Sequence, residues 1–374
     1  MTYLFFFLLF LGILINQLSK KYIFKNIYYS REISKKVLEI GEEFKLITTV
    51  ENRKFFPVTF FQIEERLPSA LDYKFKVRKL KTPDFLYHTI SLFLLSYQKV
   101  KRIYSAYCNK RGRYIFGDVT LISGDFLGLN VVVKSLRLDQ EIVVLPRRLS
   151  LEKDIIPYGS YNGNLSVRRW IIEDPTMIIG VREYTGQEPA KTIHWPLSLK
   201  HNRLMVKNFD YTVENTSLII LNIETFKPHW RSIDEEKIEK AISCARSCAE
   251  RFEEENIPYG LMTNSILYGF PAREIFIPPG NSDYHLKNLL EHLGRVSYSI
   301  SMSFEELIES LNKKHLLFST YVIITPKILD SYIPYINSLK TELTEVILIT
   351  FDPQNINHIS NNILRYLWRG VYEA

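Results

Sequence analysis

The alternation of strand-like and helix-like segments after Ser217 constrains the fold more than any other feature of the sequence. Ser217–Ile223 is almost entirely apolar, which is typical of a strand buried on both faces. Ile233–Asn256 instead repeats its apolar residues every three or four positions, which predicts a long helix with one buried face. Strands that alternate with helices predict an α/β domain with a doubly wound parallel sheet over residues 214–374. Further strands are predicted at Tyr259–Thr263, Leu316–Thr325 and Glu345–Phe351, and further helices at Asp283–Leu293, Phe304–Asn312 and Pro326–Leu339.

Residues 26–150 carry a different pattern, in which short strand-like runs are separated by turn residues. Val37–Asn52 alternates around a turn at Gly41, and other turn signals lie at Pro68-Ser69 and Arg111-Gly112. Several short strands at this spacing predict an antiparallel β-sandwich. The sequence therefore predicts a multi-domain protein with a linker or strap over residues 151–213.

The N-terminal segment Tyr3–Ile15 is almost wholly apolar. With its neighbours it spans about 17 residues, or roughly 25 Å as a helix, which is at the short end for a membrane span. Lys20, Lys21 and Lys25 follow it directly. A secretory signal peptide is the rival interpretation, but no basic residue precedes the run and no A-x-A site follows it. We therefore expect a transmembrane anchor over residues 1–19, a single-pass position in the cell membrane and soluble domains that face the cytoplasm.

Charge and cysteine content exclude two classes of function. The net charge is +7, but no Lys/Arg-rich run is interleaved with aromatic residues, so nucleic-acid binding is not expected. The three cysteines, Cys108, Cys244 and Cys248, are too few and too irregularly spaced for a disulfide framework or a zinc site.

The strap concentrates hydrogen-bond donors and aromatic rings within 19 positions. Such side chains are favoured anchors in protein interfaces and can also grip a carboxylate or a phosphate. In the alternative interpretation, the strap is purely structural, Arg182 and Lys191 pair with acidic residues, and Trp195 is buried. The candidate binding residues are Arg182, Tyr184, Lys191, His194, Trp195 and Lys200.

The strings R-E-Y-T-G from Arg182 and K-T-I-H-W up to Trp195 resemble the hallmark of the bacterial family called domain of unknown function 58. The segments Asn109–Asp118 and Gly124–Leu129 are also similar to elements of that family. The sequence departs from the family pattern where Phe126 and Leu127 stand in place of proline and phenylalanine. It also departs where Gln187 follows Gly186 in place of an acidic residue and where Lys200 replaces an arginine. The resemblance implies a membrane-anchored protein with a von Willebrand A-like domain at residues 214–374. It also implies partnership with a MoxR-type AAA+ ATPase and with other membrane proteins of the same system.

Von Willebrand A domains can carry a metal site in which a D-x-S-x-S motif supplies hard oxygen ligands. The matching stretch here is L-N-I-E-T-F, with the neutral Asn222 at the aspartate position and Phe226 at the second serine position. The sequence therefore predicts no metal and no cofactor. If a cation does bind, the candidate ligands of this degenerate site are Asn222, Glu224 and Thr225.

The function most consistent with these features is that of a membrane-anchored, non-catalytic adaptor or scaffold in cell-envelope or protein-complex maturation. No catalytic residue can be named, because the sequence contains no nucleophile elbow, P-loop or dinucleotide fingerprint. The alternative is a hydrolase whose site lies at the carboxyl ends of the strands, around Asn222, Glu224, Thr263 and Asp352. A third possibility, an extracytoplasmic adhesion module, requires the opposite topology and a working metal site.

Overall fold

The structure, a computed structural model, describes residues 3, 7, 10, 12, 16, 17, 22–74, 80–125, 130–151, 155–157, 172–186, 190–212, 216–270, 272–314, 318–341 and 344–368. Contacts along the chain divide the protein into two compact units. The first unit comprises Met1–Arg147 and Leu290–Val296, and the second comprises Arg148–Leu289 and Ser297–Ala374.

The first unit is built from β-strands. In its described part they are β1 (Ile27–Ile33), β2 (Val37–Leu38), β3 (Phe44–Asn52), β4 (Val58–Pro68), β5 (Asp72–Tyr73), β6 (Leu80–Lys81), β7 (Phe85–Leu94), β8 (Lys99–Tyr107), β9 (Gly112–Phe116), β10 (Val119–Gly124), β11 (Val131–Leu136) and β12 (Gln140–Val144). They form three sheets, with the orders β1-β3-β8-β5, β11-β10-β4-β7-β6 and β2-β12-β9. Neighbouring strands run antiparallel except β2 and β12, which pair in parallel.

Alternation of side chains explains how these strands enclose a core. Along β3, Phe44, Leu46 and Val50 are buried while the intervening positions are more exposed. Val50 packs in one apolar cluster with Phe61 and Ile63 of β4 and with residues of β7 and β10. The inward faces of the two larger sheets therefore share one core. Successive side chains of a strand point to opposite faces of its sheet, so every second residue points into this core.

The second unit contains a seven-stranded sheet of order β13-β23-β22-β21-β16-β17-β19. Its described strands are β13 (Ile155–Pro157), β14 (Ile172–Glu183), β15 (Met205–Thr212), β16 (Ser217–Leu221), β17 (Tyr259–Thr263), β18 (Ser265–Leu267), β19 (Ile275–Gly280), β20 (Val296–Ile300), β21 (Thr320–Thr325), β22 (Glu345–Thr350) and β23 (Leu364–Trp368). The strands β14 and β15 form a separate pair, as do β18 and β20. The five strands from β23 to β17 run parallel, and β16 is buried along its whole length.

Helices accompany this sheet. They are α1 (Trp195–His201), α2 (Glu235–Glu254), α3 (Asp283–Arg295), α4 (Phe304–Lys313) and α5 (Ile333–Ser338), with short 3-10 helices at Ala190–Thr192, His229–Arg231, Asp330–Tyr332 and Ile356–His358. The Asp234 side chain caps α2 by accepting a hydrogen bond from the Lys237 backbone N–H at 3.1 Å. The buried face of α2 includes Ile238, Ile242 and Phe252. This face fixes α2 on the sheet, where it contacts β16, β17 and β21.

The predicted fold class, a membrane helix followed by an antiparallel β-sandwich and a doubly wound, von Willebrand A-like α/β domain, is wrong. In the described part of the chain, strands account for 41% of the structure and helices for 25%. The large sheet is also mixed, because β19 runs antiparallel to β17 and β13 runs antiparallel to β23. The sequence conceals β19 because Pro278 and Pro279 argue against a strand. An edge strand nevertheless tolerates a residue without an N–H.

The predicted membrane anchor and the single-pass membrane localisation are likewise wrong on the residues that the structure describes. None of the described helices is long and apolar enough to cross a bilayer. Most of the predicted anchor over residues 1–19 lies outside the described residues. Of those described within it, Asn16 is buried and donates a hydrogen bond to the Asp125 carboxylate at 3.0 Å. A buried polar bond of this kind ties the end of the segment to the β-rich unit.

Candidate functional site

The strap hallmark folds as a β-hairpin with a short helix between its strands. β14 and β15 pair antiparallel, with Arg182 opposite Val206 and Glu183 opposite Met205. Between them lie the 3-10 helix Ala190–Thr192 and α1. The pairing fixes both ends of the hallmark, and all six candidate binding residues lie in its described part.

His194 has a structural role at the start of α1. Its Nδ1 accepts the backbone N–H of Leu197 at 3.2 Å, and its own backbone N–H donates to the Met205 carbonyl at 2.8 Å. Ser198, which is buried, donates from Oγ to the His194 carbonyl at 2.9 Å and accepts the Met205 N–H at 2.8 Å. These bonds hold α1 on β15. The imidazole is therefore used as a helix cap, a role that the sequence did not reveal.

The outer face of the strap combines apolar and basic side chains. Trp195 is 60% exposed and Leu199, one helical turn later, is 81% exposed. Arg182, Lys191 and Lys200 are also exposed, whereas Tyr184 is half-buried. The alternative in which Trp195 is buried therefore does not hold.

The charge on this face is positive. Glu183 pairs with Arg203 at 2.7 Å, so that one acidic side chain is already neutralised. Three further charged side chains that the structure shows to be exposed on the strap, Arg182, Lys191 and Lys200, are basic. A surface with an exposed tryptophan among cations is suited to an acidic partner.

A second group of polar residues lies at the carboxyl ends of the central parallel strands. Asn222 follows β16, Asn264 follows β17 and Thr325 ends β21, and all three are fully buried. The Asn222 Nδ2 donates to Thr325 Oγ1 at 3.0 Å, while Asn264 Nδ2 donates to Asn222 Oδ1 at 2.8 Å. The cluster satisfies its own hydrogen bonds across three strands.

The candidate cation ligands take part in hydrogen bonds of the same region. Asn222 Oδ1 also accepts the Glu224 backbone N–H at 3.0 Å. Thr225 Oγ1 donates to the Ser232 carbonyl at 3.1 Å. The structure therefore brings Asn222, Glu224 and Thr225 close together but directs their polar atoms to different protein partners. In the described part of the chain, no three His, Cys, Asp or Glu residues are grouped to hold a metal.

The residues named for a hydrolase do not converge on one point. Thr263 Oγ1 accepts the Ser265 backbone N–H at 3.2 Å. Asp352 forms an ion pair with Lys237 at 2.7 Å. Burial pushes the pKa of Asp352 up, but the hydrogen bond and charge of Lys237 outweigh it, so the pKa lies below its ordinary value. Each group is thus held by its own neighbour.

Glu224 differs from the rest of the cluster because it also lines a cavity. It is only 2% exposed, and its Oε2 accepts the Tyr332 hydroxyl at 2.7 Å and the Phe304 backbone N–H at 3.3 Å. Burial, followed by the nearby Glu224 charge, raises the pKa of Tyr332, so its hydroxyl remains a donor. The cavity has a volume of about 780 Å³, and His229, Trp230 and Ile233 also line it. Sequence reasoning missed His229 and Trp230, although the string P-H-W directly after a buried strand was a visible signal.

Comparisons with known proteins add no assignment. No protein-family model matches the chain, and no curated protein matches it. Among solved structures, a cohesin module from a Clostridium perfringens family 33 glycoside hydrolase has a TM-score of 0.23 and 10% identity, covering 32% of this chain and 96% of its own. The CARDB domain of a Pyrococcus furiosus protein has a TM-score of 0.20 and 12% identity, and the match covers 32% of this chain and 96% of that domain. The major pilin subunit of Bacillus cereus has a TM-score of 0.26 and 10% identity, and the match covers 44% of this chain and 52% of the pilin chain. Similarities this weak support no argument about fold or function.

Proposed function

We propose that this chain is a non-catalytic adaptor that docks a partner protein through the outer face of its strap. The observation that carries the proposal is the exposure of Trp195 and Leu199 on a short helix that is capped and bonded to β15. Exposed aromatic anchors on a rigid support are typical of interaction surfaces, because little side-chain entropy remains to be lost on binding.

The charge of the strap indicates the chemistry of the partner surface. Arg182, Lys191 and Lys200 belong to the same strap as the apolar anchors and are exposed. Such cations favour an acidic patch and accelerate association with it. The partner surface that fits is therefore apolar at its centre and acidic at its rim.

The identity that we propose for the partner, a MoxR-type AAA+ ATPase, rests on the resemblance of the hallmark to the family called domain of unknown function 58. The R-E-Y-T-G and K-T-I-H-W strings that carry this resemblance lie in the strap itself. Work in cell-envelope or protein-complex maturation, alongside membrane proteins of the same system, belongs to the same proposal. Nucleic acid is not an expected partner.

The hydrolase alternative is the weaker proposal. Its named groups are held apart in separate contacts, since Asp352 is paired with Lys237 and Thr263 accepts from Ser265. The cavity beside Glu224 is the feature that favours it. Hydrolysis of an ester or glycoside by the purified chain, abolished in Glu224→Gln, would establish the enzyme and displace the adaptor.

The adaptor proposal is tested by a crosslinked pull-down of the full-length protein from its native cells, followed by mass spectrometry. We expect a AAA+ ATPase in the eluate and a loss of at least about tenfold in its recovery for the double variant Trp195→Ala, Leu199→Ala. Trp230→Ala is the matched control, because Trp230 is also largely exposed but lies outside the strap. Equal recovery of the ATPase with all three proteins, or its absence from the wild-type eluate, contradicts the proposal.

A further inference from the structure

The cavity beside Glu224 presents a hydrogen-bond acceptor that the protein leaves unused. Both hydrogen bonds to the Glu224 carboxylate go to Oε2. Its other oxygen, Oε1, has no hydrogen-bond partner among the described residues. A carboxylate that is 98% removed from solvent with one oxygen unbonded is costly unless something in the cavity donates to it.

His229 lines the same cavity. Its Nε2 lies 2.7 Å from the Tyr298 carbonyl oxygen. A carbonyl can only accept, so this ring nitrogen must carry the proton. In the neutral ring, Nδ1 is then an acceptor, but it is closed off from solvent and has no partner within the described structure. The acceptor that a ligand in the cavity can reach is therefore Glu224 Oε1.

Among the described residues that line the cavity, Lys227 is the one lysine or arginine, and its charge is already compensated. Lys227 forms an ion pair with Glu305, and its ammonium group lies 5.4 Å from the centre of the Tyr332 ring. Both contacts are favourable for a cation, so Lys227 is not available to neutralise Glu224. The walls nearer the opening are apolar, with Ile233 and the largely exposed Trp230.

We propose that this cavity binds an organic cation with N–H donors on an alkyl stem, a guanidinium or a primary ammonium group. Glu224 is its charge partner and hydrogen-bond acceptor, and Trp230 covers the stem or the cationic face at the opening. The chemistry follows from the site: an unused acceptor requires a donor, a buried anion requires a positive charge, and the apolar walls accommodate methylene groups. This inference is independent of docking through the strap.

The test uses the full-length protein and titration calorimetry with agmatine, butylamine and choline. We expect agmatine or butylamine to bind and choline, which has the same charge but no N–H donor, to bind at least about tenfold more weakly. The variant Glu224→Gln keeps an acceptor for Tyr332 while removing the charge. We expect it to weaken agmatine binding by about ten- to a hundredfold. Tyr284→Ala, at an exposed residue outside the cavity, is the matched control and should bind like the wild type.

A second variant keeps the test decisive if Glu224→Gln does not fold. Trp230→Ala changes an exposed side chain and should lower agmatine affinity about threefold or more through the lost cation–π contact. A blocked arginine dipeptide is compared with agmatine to identify the source of the group. Tighter binding of the dipeptide indicates an arginine of a partner peptide, and tighter binding of agmatine indicates a free small molecule. Equal binding of choline and agmatine, or unchanged affinity in both variants, overturns the proposal.

Discussion

The strap and the strand-end cluster are both rich in polar side chains, but they use them in opposite ways. In the cluster, Asn222, Asn264 and Thr325 are fully buried and bond to one another. In the strap, Trp195, Lys191 and Lys200 are exposed. A buried polar group that is satisfied inside the protein contributes to stability, whereas an exposed anchor on a rigid element is available to a partner. This difference is the reason why we propose that the cluster contributes to stability and the strap to recognition.

The largest effect on stability is expected at the centre of the cluster. Asn222→Ala leaves the Glu224 backbone N–H and the Asn264 side-chain amide buried without their acceptor. We expect the free energy of unfolding to fall by about 3 kcal/mol or more, measured by urea denaturation. The control Asn281→Ala changes an exposed asparagine and should cost less than about 0.5 kcal/mol. Similar losses in both variants would remove the distinction between the cluster and the surface.

A smaller loss of stability is expected when one hydrogen-bond donor is removed at the edge of the cluster. Tyr332→Phe deletes the hydroxyl that donates to Glu224 Oε2 and leaves the ring in place. The free energy of unfolding should fall by about 2 kcal/mol, because a buried carboxylate loses a hydrogen bond. Tyr284→Phe, at an exposed tyrosine, serves as the reference. If the two variants are equally stable, the hydrogen bond from Tyr332 to Glu224 does not contribute to the stability of the fold.

Substitutions in the strap should show the reverse pattern, with little change in stability and a clear loss of binding. Trp195→Ala with Leu199→Ala removes two exposed side chains, so the free energy of unfolding should change by no more than about 0.5 kcal/mol each. Binding of the purified ATPase, measured by calorimetry, should nevertheless weaken by at least about tenfold. A stability loss near 2 kcal/mol would instead make Trp195 a structural residue and would erase the comparison.

The smallest effect is expected at the half-buried pair of Lys237 and Asp352. The folded-state pKa of Asp352 is depressed. Its stabilisation is therefore present above the unfolded pKa of about 3.9 and is lost as the pH falls through the lower, folded pKa. Asp352→Asn should cost less than about 1 kcal/mol at neutral pH, and this difference should disappear in acid. A difference that persists below pH about 2 would show that the charge of Asp352 is not its origin.

The sequence predicted local segments better than it predicted their arrangement. The parallel strands β16, β17, β21 and β22 lie where apolar runs are continuous, because strands buried on both faces must be apolar. The antiparallel edge strand β19 was missed because its two prolines argue against a strand, and the strap hairpin was missed because its strands lack a clear period of two. The apolar N-terminal run was interpreted as an anchor because hydropathy alone does not register a polar tether such as the bond from Asn16 to Asp125.

For the candidate site, the sequence likewise identified residues better than it identified their roles. The hallmark residues were visible as a concentration of donors and rings, yet their roles depend on exposure, which a single sequence does not contain. His194 is a helix cap in the structure, whereas Trp195 beside it is largely exposed. His229 and Trp230 line the cavity only because the chain returns to the side of Glu224 after β16. Such contacts between distant residues are set by tertiary packing.

The central claim, that the ATPase docks on the strap and not beside the strand ends, is tested most directly by hydroxyl-radical footprinting of the full-length protein with and without the ATPase. Trp195 and Trp230 are both exposed and serve as paired reporters within one chain. The account predicts that the ATPase protects Trp195 from oxidation and leaves Trp230 unchanged. Protection of Trp230 with Trp195 still fully reactive would contradict it and would move the docking surface to the cavity.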